Sequence, residues 1–328
     1  MRTILITIDA LRRDHLICYG YDRETTPFLE TLVEENSTFR NCYASSCHTR
    51  EAIPSILTGE RPENCVDSSY RINSETIPEA LPDDISTEAL TTGCYLTKVE
   101  NHDRGFDRFK SDYTFENSFL TRQTEYIERV IRNRPFRDAE TQIDRTLESI
   151  EDGNDFIWTH LMDTHAPYNQ FDEWHWGEEV SGRRLQYIFR KAKHFSRAMS
   201  EEERQDLIDA YDNCIRFIDR QLERLFENIS EDVEVFIVGD HGEYLGENGR
   251  YEHPRELSDE LLKVPLIVRN GREKEFNRKV STMDIAPTIL ERYGSKTESD
   301  RTSLYRNSDR SIKSSCLKNG ERIHREFT

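Results

Sequence analysis

Six short apolar or alternating runs divide this chain into expected strands: residues 2–9, 38–43, 88–95, 156–161, 233–238 and 264–268. Segments with helical spacing lie between them. One begins at Thr25-Thr26-Pro27, where proline suits a first helical turn and Phe28, Leu29, Leu32 and Val33 share a face. Residues 49–58 read as a short helix closed by Gly59, and residues 116–150 as a charged helical stretch. Residues 202–229 carry the strongest stripe, with Leu207, Tyr211, Cys214, Ile218, Leu222 and Leu225 aligned. A further helix is expected over 284–293. Residues 169–200 are aromatic and basic without a clear period, and read as an excursion covering the strand ends. From about residue 295 the composition turns polar. Strands alternating with helices predict an α/β sandwich.

Two of the apolar runs end alike. The first runs straight into Asp9, and Val233–Val238 opens into Gly239-Asp240-His241 followed by Gly242, Gly246 and Gly249. Parallel strands that both deliver a carboxylate at their C-terminal ends can bring them together at the sheet edge where open α/β folds bind ligands. An adjacent acid and imidazole at that edge suit a divalent cation. A single strand-end aspartate is more often a cap, so the joint occurrence carries the reading.

Charge and cysteine content narrow the class. Lys and Arg total 45 against 63 Asp and Glu, a net charge of −18, which excludes the basic footprint of a nucleic-acid binder. Arginine outnumbers lysine 35 to 10, and acidity with this bias fits a halophilic protein kept soluble in a salty cytoplasm. The seven cysteines are odd in number and form no CxxC pair. The first strand begins within three residues of the N-terminus, leaving no room for a signal peptide, and no run approaches a membrane span. A soluble, cytoplasmic protein with no membrane or nucleic-acid partner is expected. Oligomeric state is not readable.

An ordered set of motifs resembles the sulfatase-like branch of the alkaline phosphatase superfamily. Ile6-Thr7-Ile8-Asp9 with Cys18-Tyr19-Gly20 resembles its first strand and metal-binding turn, and Thr25-Thr26-Pro27-Phe28-Leu29 its next helix start. Ser55-Ile56-Leu57-Thr58-Gly59 resembles the end of its nucleophile helix. Gly105-Phe106-Asp107, Asp163-Thr164-His165-Ala166-Pro167-Tyr168, Gly239-Asp240-His241-Gly242-Glu243 and Met283-Asp284-Ile285-Ala286-Pro287-Thr288 follow in family order. The resemblance spans residues 2–295. It implies an α/β/α sandwich on a mixed, mostly parallel sheet, a catalytic domain over 1–294, and a C-terminal subdomain over 295–328 that is reduced or absent.

The resemblance also implies site residues. The family's nucleophile falls ten positions before Gly59, on Thr49. Thr49-Arg50-Glu51-Ala52-Ile53 lacks the Pro and Arg of the formylglycine motif, as does Cys47-His48-Thr49, so direct use of threonine and a phosphate ester are favoured over sulfate. A neutral threonine hydroxyl needs activation, and a bound cation supplies it. The implied metal ligands are Asp9, Thr49, Asp240 and His241, holding one Mn, Mg, Ca or Zn ion. The family's second first-strand aspartate falls at Ala10, which leaves a leaner site. His165 and His253 are the candidates for holding the substrate and protonating the leaving oxygen; with Asp163 they form an alternative second-metal set. The expected activity is metal-dependent cleavage of a small-molecule or glycan ester through a Thr49 intermediate. Alternatives are a sulfatase without formylglycine, a phospho-alcohol transferase and a non-catalytic ligand-binding relative.

Overall fold

The computed structural model describes residues 2–93, 95–112, 137–168, 175–177, 180–271, 275–295, 302–306 and 310–328. Its centre is a nine-stranded sheet. In chain order the strands are β1 (Thr3–Ile8), β2 (Ser37–Tyr43), β3 (Thr87–Thr91), β4 (Arg108–Ser111), β5 (Phe156–Leu161), β6 (Glu234–Gly239), β7 (Tyr244–Leu245), β8 (Tyr251–Glu252), β9 (Lys263–Val264), β10 (Leu266–Arg269) and β11 (Glu275–Ser281). The sheet runs β11-β2-β10-β6-β1-β5-β3-β4, β9 pairs with β2, and β7 with β8 forms a separate small ribbon.

Strand β1 lies parallel between β5 and β6, with Ile8 level with both Leu161 and Gly239. That register places Asp9 and Asp240 side by side, one residue past the ends of neighbouring strands. Strand β10 is antiparallel to β6 and β2, which makes the sheet mixed. Both faces are covered, so β1 is apolar at nearly every position rather than alternating. Leu5 joins the cluster containing Phe39, Trp158 and Phe236, against the helices Thr49–Thr58 and Ile285–Arg292. Ile4, Ile6 and Ile8 join the opposite cluster, against Ala139–Glu151 and Glu201–Glu227. The fold is the α/β/α sandwich on a mixed sheet that the pattern implied.

Several local expectations change. Residues 182–195, read as periodless, form the helix Gly182–Phe195, which buries Leu185, Ile188 and Ala192 at intervals of three and four residues. The expected strand at 88–95 ends at Thr91. Pro265, which offers no N–H to a ladder, splits the run at 264–268 into β9 and β10. The expected charged helix over 116–150 lies outside the described residues for its first part, and its second part is Ala139–Glu151. The polar C-terminal stretch contains a hairpin, β12 (Ile312–Lys318) and β13 (Glu321–Phe327), turned by Asn319 and Gly320, both at positive φ. Ile312, Cys316 and Phe327 enter the central apolar cluster. Ser315 N donates to Ser45 O at 2.9 Å and Ser314 Oγ to Ala44 O at 2.6 Å. The hairpin thus packs beside the segment leading to Thr49. Among the described residues, no helix is long and apolar enough to cross a membrane.

Candidate functional site

Three chain segments meet at the C-terminal edge of β1 and β6. The first is the turn after β1. Ala10 sits at φ 53°, a region costly for a residue with a Cβ. It is held there from both sides: its N–H donates to Asp240 Oδ1 at 3.0 Å and its carbonyl accepts from Tyr211 Oη at 2.7 Å. Tyr211 Oη also accepts from Arg12 N at 2.9 Å, so the long helix Glu201–Glu227 fixes the path of the turn. Ala10 therefore serves through its backbone, by orienting Asp240.

The second segment is Gly239-Asp240-His241-Gly242. Its glycines answer to close packing: a Cβ on Gly239 would lie 2.7 Å from Leu11 O, and one on Gly242 1.9 Å from Glu260 O. Asp240 Oδ1 also accepts from His241 N at 2.7 Å. His241 Nδ1 lies 2.9 Å from Gly242 O. A carbonyl only accepts, so the ring proton is on Nδ1 and Nε2 carries a lone pair.

The third segment is the helix Thr49–Thr58. Its N-cap is His48, which makes no side-chain cap. The Thr49 hydroxyl does not cap the helix either. It donates to Asp9 Oδ2 at 3.0 Å and lies 3.1 Å from His241 Nε2. The structure thus brings together Asp9, Thr49, Asp240 and His241, the four ligands the sequence implied.

The electrostatics of this group suit a cation. Asp9, Asp240 and His241 are buried and offer ligand atoms all within 4.8 Å of one another, the one such cluster among the described residues. Asp9 Oδ1 and Asp240 Oδ2 are buried without a hydrogen-bond partner, a costly state for a carboxylate oxygen. Burial acts to raise Asp9, yet the neighbouring His165, His160 and His241 hold it well below the usual carboxylate range. Asp240 is pushed up by burial, and the Asp9 charge adds to the push. Two buried carboxylates with orphaned oxygens and an aligned imidazole lone pair form the donor set a divalent ion satisfies.

His165 and His253 stand beside this cluster. The His253 ring lies 4.7 Å from that of His241, 5.4 Å from His165 and 4.9 Å from His48 (centroid distances). Burial, with a contribution from His165, pushes His253 down to about 4, and its Nδ1 is 3.4 Å from Glu243 Oε2. The same burial raises Glu243 to about 8. The alternative second-metal set is not assembled: Asp163 Oδ1 accepts from Ala139 N at 3.2 Å, at the start of a helix, and Asp163, His165 and His253 form no ligand cluster among the described residues.

Sequence reading missed His160, Glu243 and His48. His160 sits inside the apolar strand β5, where it reads as core. Its partners reveal its orientation. Trp158 Nε1 donates to Thr7 Oγ1 at 2.9 Å, and that hydroxyl lies 2.8 Å from His160 Nδ1. His160 Nε2 lies 3.6 Å from Asp9 Oδ2. Only the pairing of Thr7 with His160 across β1 and β5 discloses this, and a single sequence does not show that pairing. Trp174 lies outside the described residues, while Trp176 packs over Arg23 at 5.8 Å.

Residues 2–295 match the family model described as Sulfatase. Phosphoethanolamine transferase EptA of Helicobacter pylori is 24% identical over 276 residues, 81% of this chain and 47% of its own length. Low-salt glycan biosynthesis sulfotransferase Agl7 of Haloferax volcanii is 26% identical over 261 residues, 76% of this chain and 54% of its own. The chain spans about half the length of the curated relatives it matches. Among solved structures, phosphonate monoester hydrolase of Agrobacterium radiobacter superposes with a TM-score of 0.73 at 14% identity, covering 98% of this chain and 81% of that one. The zinc complex of the C-terminal periplasmic domain of EcEptC from Escherichia coli gives 0.68 at 17% identity, covering 98% and 92%. These solved structures share its fold.

Proposed function

This chain belongs to the sulfatase family, and from that membership and the site geometry we propose that it cleaves a phosphate ester, or less readily a sulfate ester, through a covalent intermediate on Thr49. The observation that carries the proposal is the placement of the Thr49 hydroxyl. It begins a helix without capping it, and it is held between Asp9 and His241. The missing formylglycine motif makes the hydroxyl itself the nucleophile.

Asp9, Asp240, His241 and the Thr49 oxygen would hold one divalent cation. Such an ion lowers the pKa of the hydroxyl and offsets charge on the ester oxygens. The chain's own groups do the rest. The Thr49 hydroxyl gives its proton to the acceptor it already faces, Asp9 Oδ2 at 3.0 Å, as its oxygen forms a bond to phosphorus; the bond to the leaving oxygen breaks, and that oxygen takes up a proton. His165 is a candidate donor of that proton. His253 Nδ1 lies 3.4 Å from Glu243 Oε2, and an N–H of this ring would hold an ester oxygen. Backbone N–H groups at the start of the Thr49 helix favour an anionic ester.

A second reading differs in the acceptor. The curated relatives quoted above are named as transferases, which supports release of the group from Thr49 to an alcohol rather than to water. Both readings share the first step. They are tested with nitrophenyl phosphate and sulfate esters under Mg²⁺, Mn²⁺, Ca²⁺ and Zn²⁺, for wild type and Thr49→Ala, with and without an added alcohol. Metal-dependent phenol release lost in Thr49→Ala supports the common step. An alcohol adduct in place of free phosphate identifies the transferase. Equal rates in wild type and variant refute both.

A further inference from the structure

The residue after the nucleophile is Arg50, and its surroundings differ from those of the other arginines near the site. Arg12 pairs with Asp14 and Glu247, Arg255 with Glu51, and Arg322 with Glu51 and Glu63. Arg50 reaches no carboxylate and no hydrogen-bond acceptor among the described residues, and its Nε is buried without a partner. It is instead held by rings: its guanidinium carbon lies 4.1 Å from the centroid of Tyr70 and 4.7 Å from that of Tyr95. Arg255, two residues beyond His253, lies over the same Tyr70 ring at 5.5 Å.

Three observations locate this group. Arg50 is in the first turn of the helix whose first residue is Thr49. Tyr95 follows β3 at the C-terminal edge of the parallel strands, the edge that carries Asp9 and Asp240, and it is 45% exposed. Tyr70 is shared with the loop that carries His253. The guanidinium therefore stands at the rim of the site, beyond the residues gathered around the Thr49 oxygen. In a chain with a net charge of −18, an arginine left without a carboxylate at such a place calls for an anionic occupant. Stacked rings engage the faces of a guanidinium and leave its in-plane N–H fork for a bidentate oxyanion.

We propose that Arg50, steadied by Tyr70 and Tyr95, forms a subsite for an oxyanion on the leaving group of the substrate. That oxyanion is a carboxylate of an acidic sugar or aryl group, or a second phosphate or sulfate away from the scissile bond. The proposal rests on the ester-cleavage reading for what lies next to the subsite, but its test does not require turnover.

Binding is measured by calorimetry on the full chain carrying Thr49→Ala, with Mn²⁺ present. Three nitrophenyl phosphates are compared: one with a ring carboxylate, one with a ring sulfonate and one with a neutral carboxamide. Charge-assisted bidentate contacts predict that the charged esters bind about 10-fold or more tighter than the amide. Adding Arg50→Gln should erase that preference, and Arg50→Lys should restore only part of it. A carboxylate that outranks the sulfonate identifies an acidic sugar or aryl acid as the source; the reverse order identifies a second tetrahedral ester. The subsite is overturned if the three esters bind equally, or if the preference survives Arg50→Gln. Turnover of the same esters by wild type reports separately on the ester-cleavage reading.

Discussion

Glu51 is the most consequential buried charge outside the metal cluster, and its removal yields a quantitative expectation. It lies fully buried in the first turn of the helix that starts at Thr49, and accepts from Arg322 Nη1 at 3.0 Å, Ser46 Oγ at 3.1 Å and Arg255 Nη1 at 3.5 Å. Arg322 belongs to β13, and Arg255 also donates to Leu317 O at 2.7 Å in β12. One carboxylate thus joins the helix Thr49–Thr58, the His253 loop and the C-terminal hairpin. Glu51→Gln keeps the shape and removes the charge. Breaking one side of a fully buried pair costs about 3–5 kcal/mol. The two arginine side chains are 21% and 27% exposed, so water takes over part of their solvation and about 2–3 kcal/mol is expected. Chemical denaturation of wild type, Glu51→Gln, Arg322→Gln and the double variant measures the loss and its coupling. Non-additivity of about 1–2 kcal/mol is expected for groups in direct contact. A loss under about 0.5 kcal/mol, or strict additivity, would refute the claim that this carboxylate anchors the hairpin.

His102 should make stability pH-dependent. It is buried, and burial pushes it down to about 3 from 6.5 although a backbone contact with Thr97 opposes the shift. Between those values the unfolded chain binds a proton that the folded chain refuses, so stability falls as pH drops below 6.5 and levels off near 3. At pH 5 the linkage amounts to about 2 kcal/mol. His102→Leu should therefore be about 2 kcal/mol more favourable at pH 5 than at pH 8, and parallel curves for variant and wild type would contradict this. His160 should act through Asp9. His160→Phe is expected to weaken Mn²⁺ binding by about 10–100-fold in calorimetry with the fold intact by circular dichroism, and His160→Gln by less. Unchanged affinity in both would show that the Trp158–Thr7–His160 chain does not position the ligand.

What was legible in the sequence was what local pattern specifies. The apolar runs of β1 and β6 and the carboxylates at their ends are set by burial on both sheet faces. Register alone then brings Asp9 next to Asp240. Thr49 was legible only through the family resemblance, which implies a nucleophile position ten residues before Gly59. The helix Gly182–Phe195 was hidden because Leu185, Ile188 and Ala192 are scattered among charged residues that leave the stripe thin. The hairpin β12–β13 was masked by polar composition, although Asn319-Gly320 between alternating segments carries its turn signal. His160 and the orienting role of the Ala10 N–H depend on contacts between residues about 150 to 230 positions apart in sequence, which no local pattern encodes. The same holds for Arg50, whose ring partners come from two other loops.

The central claim is that Thr49 carries the transferred group. The most direct measurement is peptide mass spectrometry of wild type quenched in acid during turnover of a nitrophenyl phosphate with Mn²⁺ present. A phosphoryl adduct on the peptide containing Thr49, absent after chelation and absent from Thr49→Ala, is the predicted result. Turnover that proceeds without any adduct on that peptide, and at an undiminished rate in Thr49→Ala, would contradict the account.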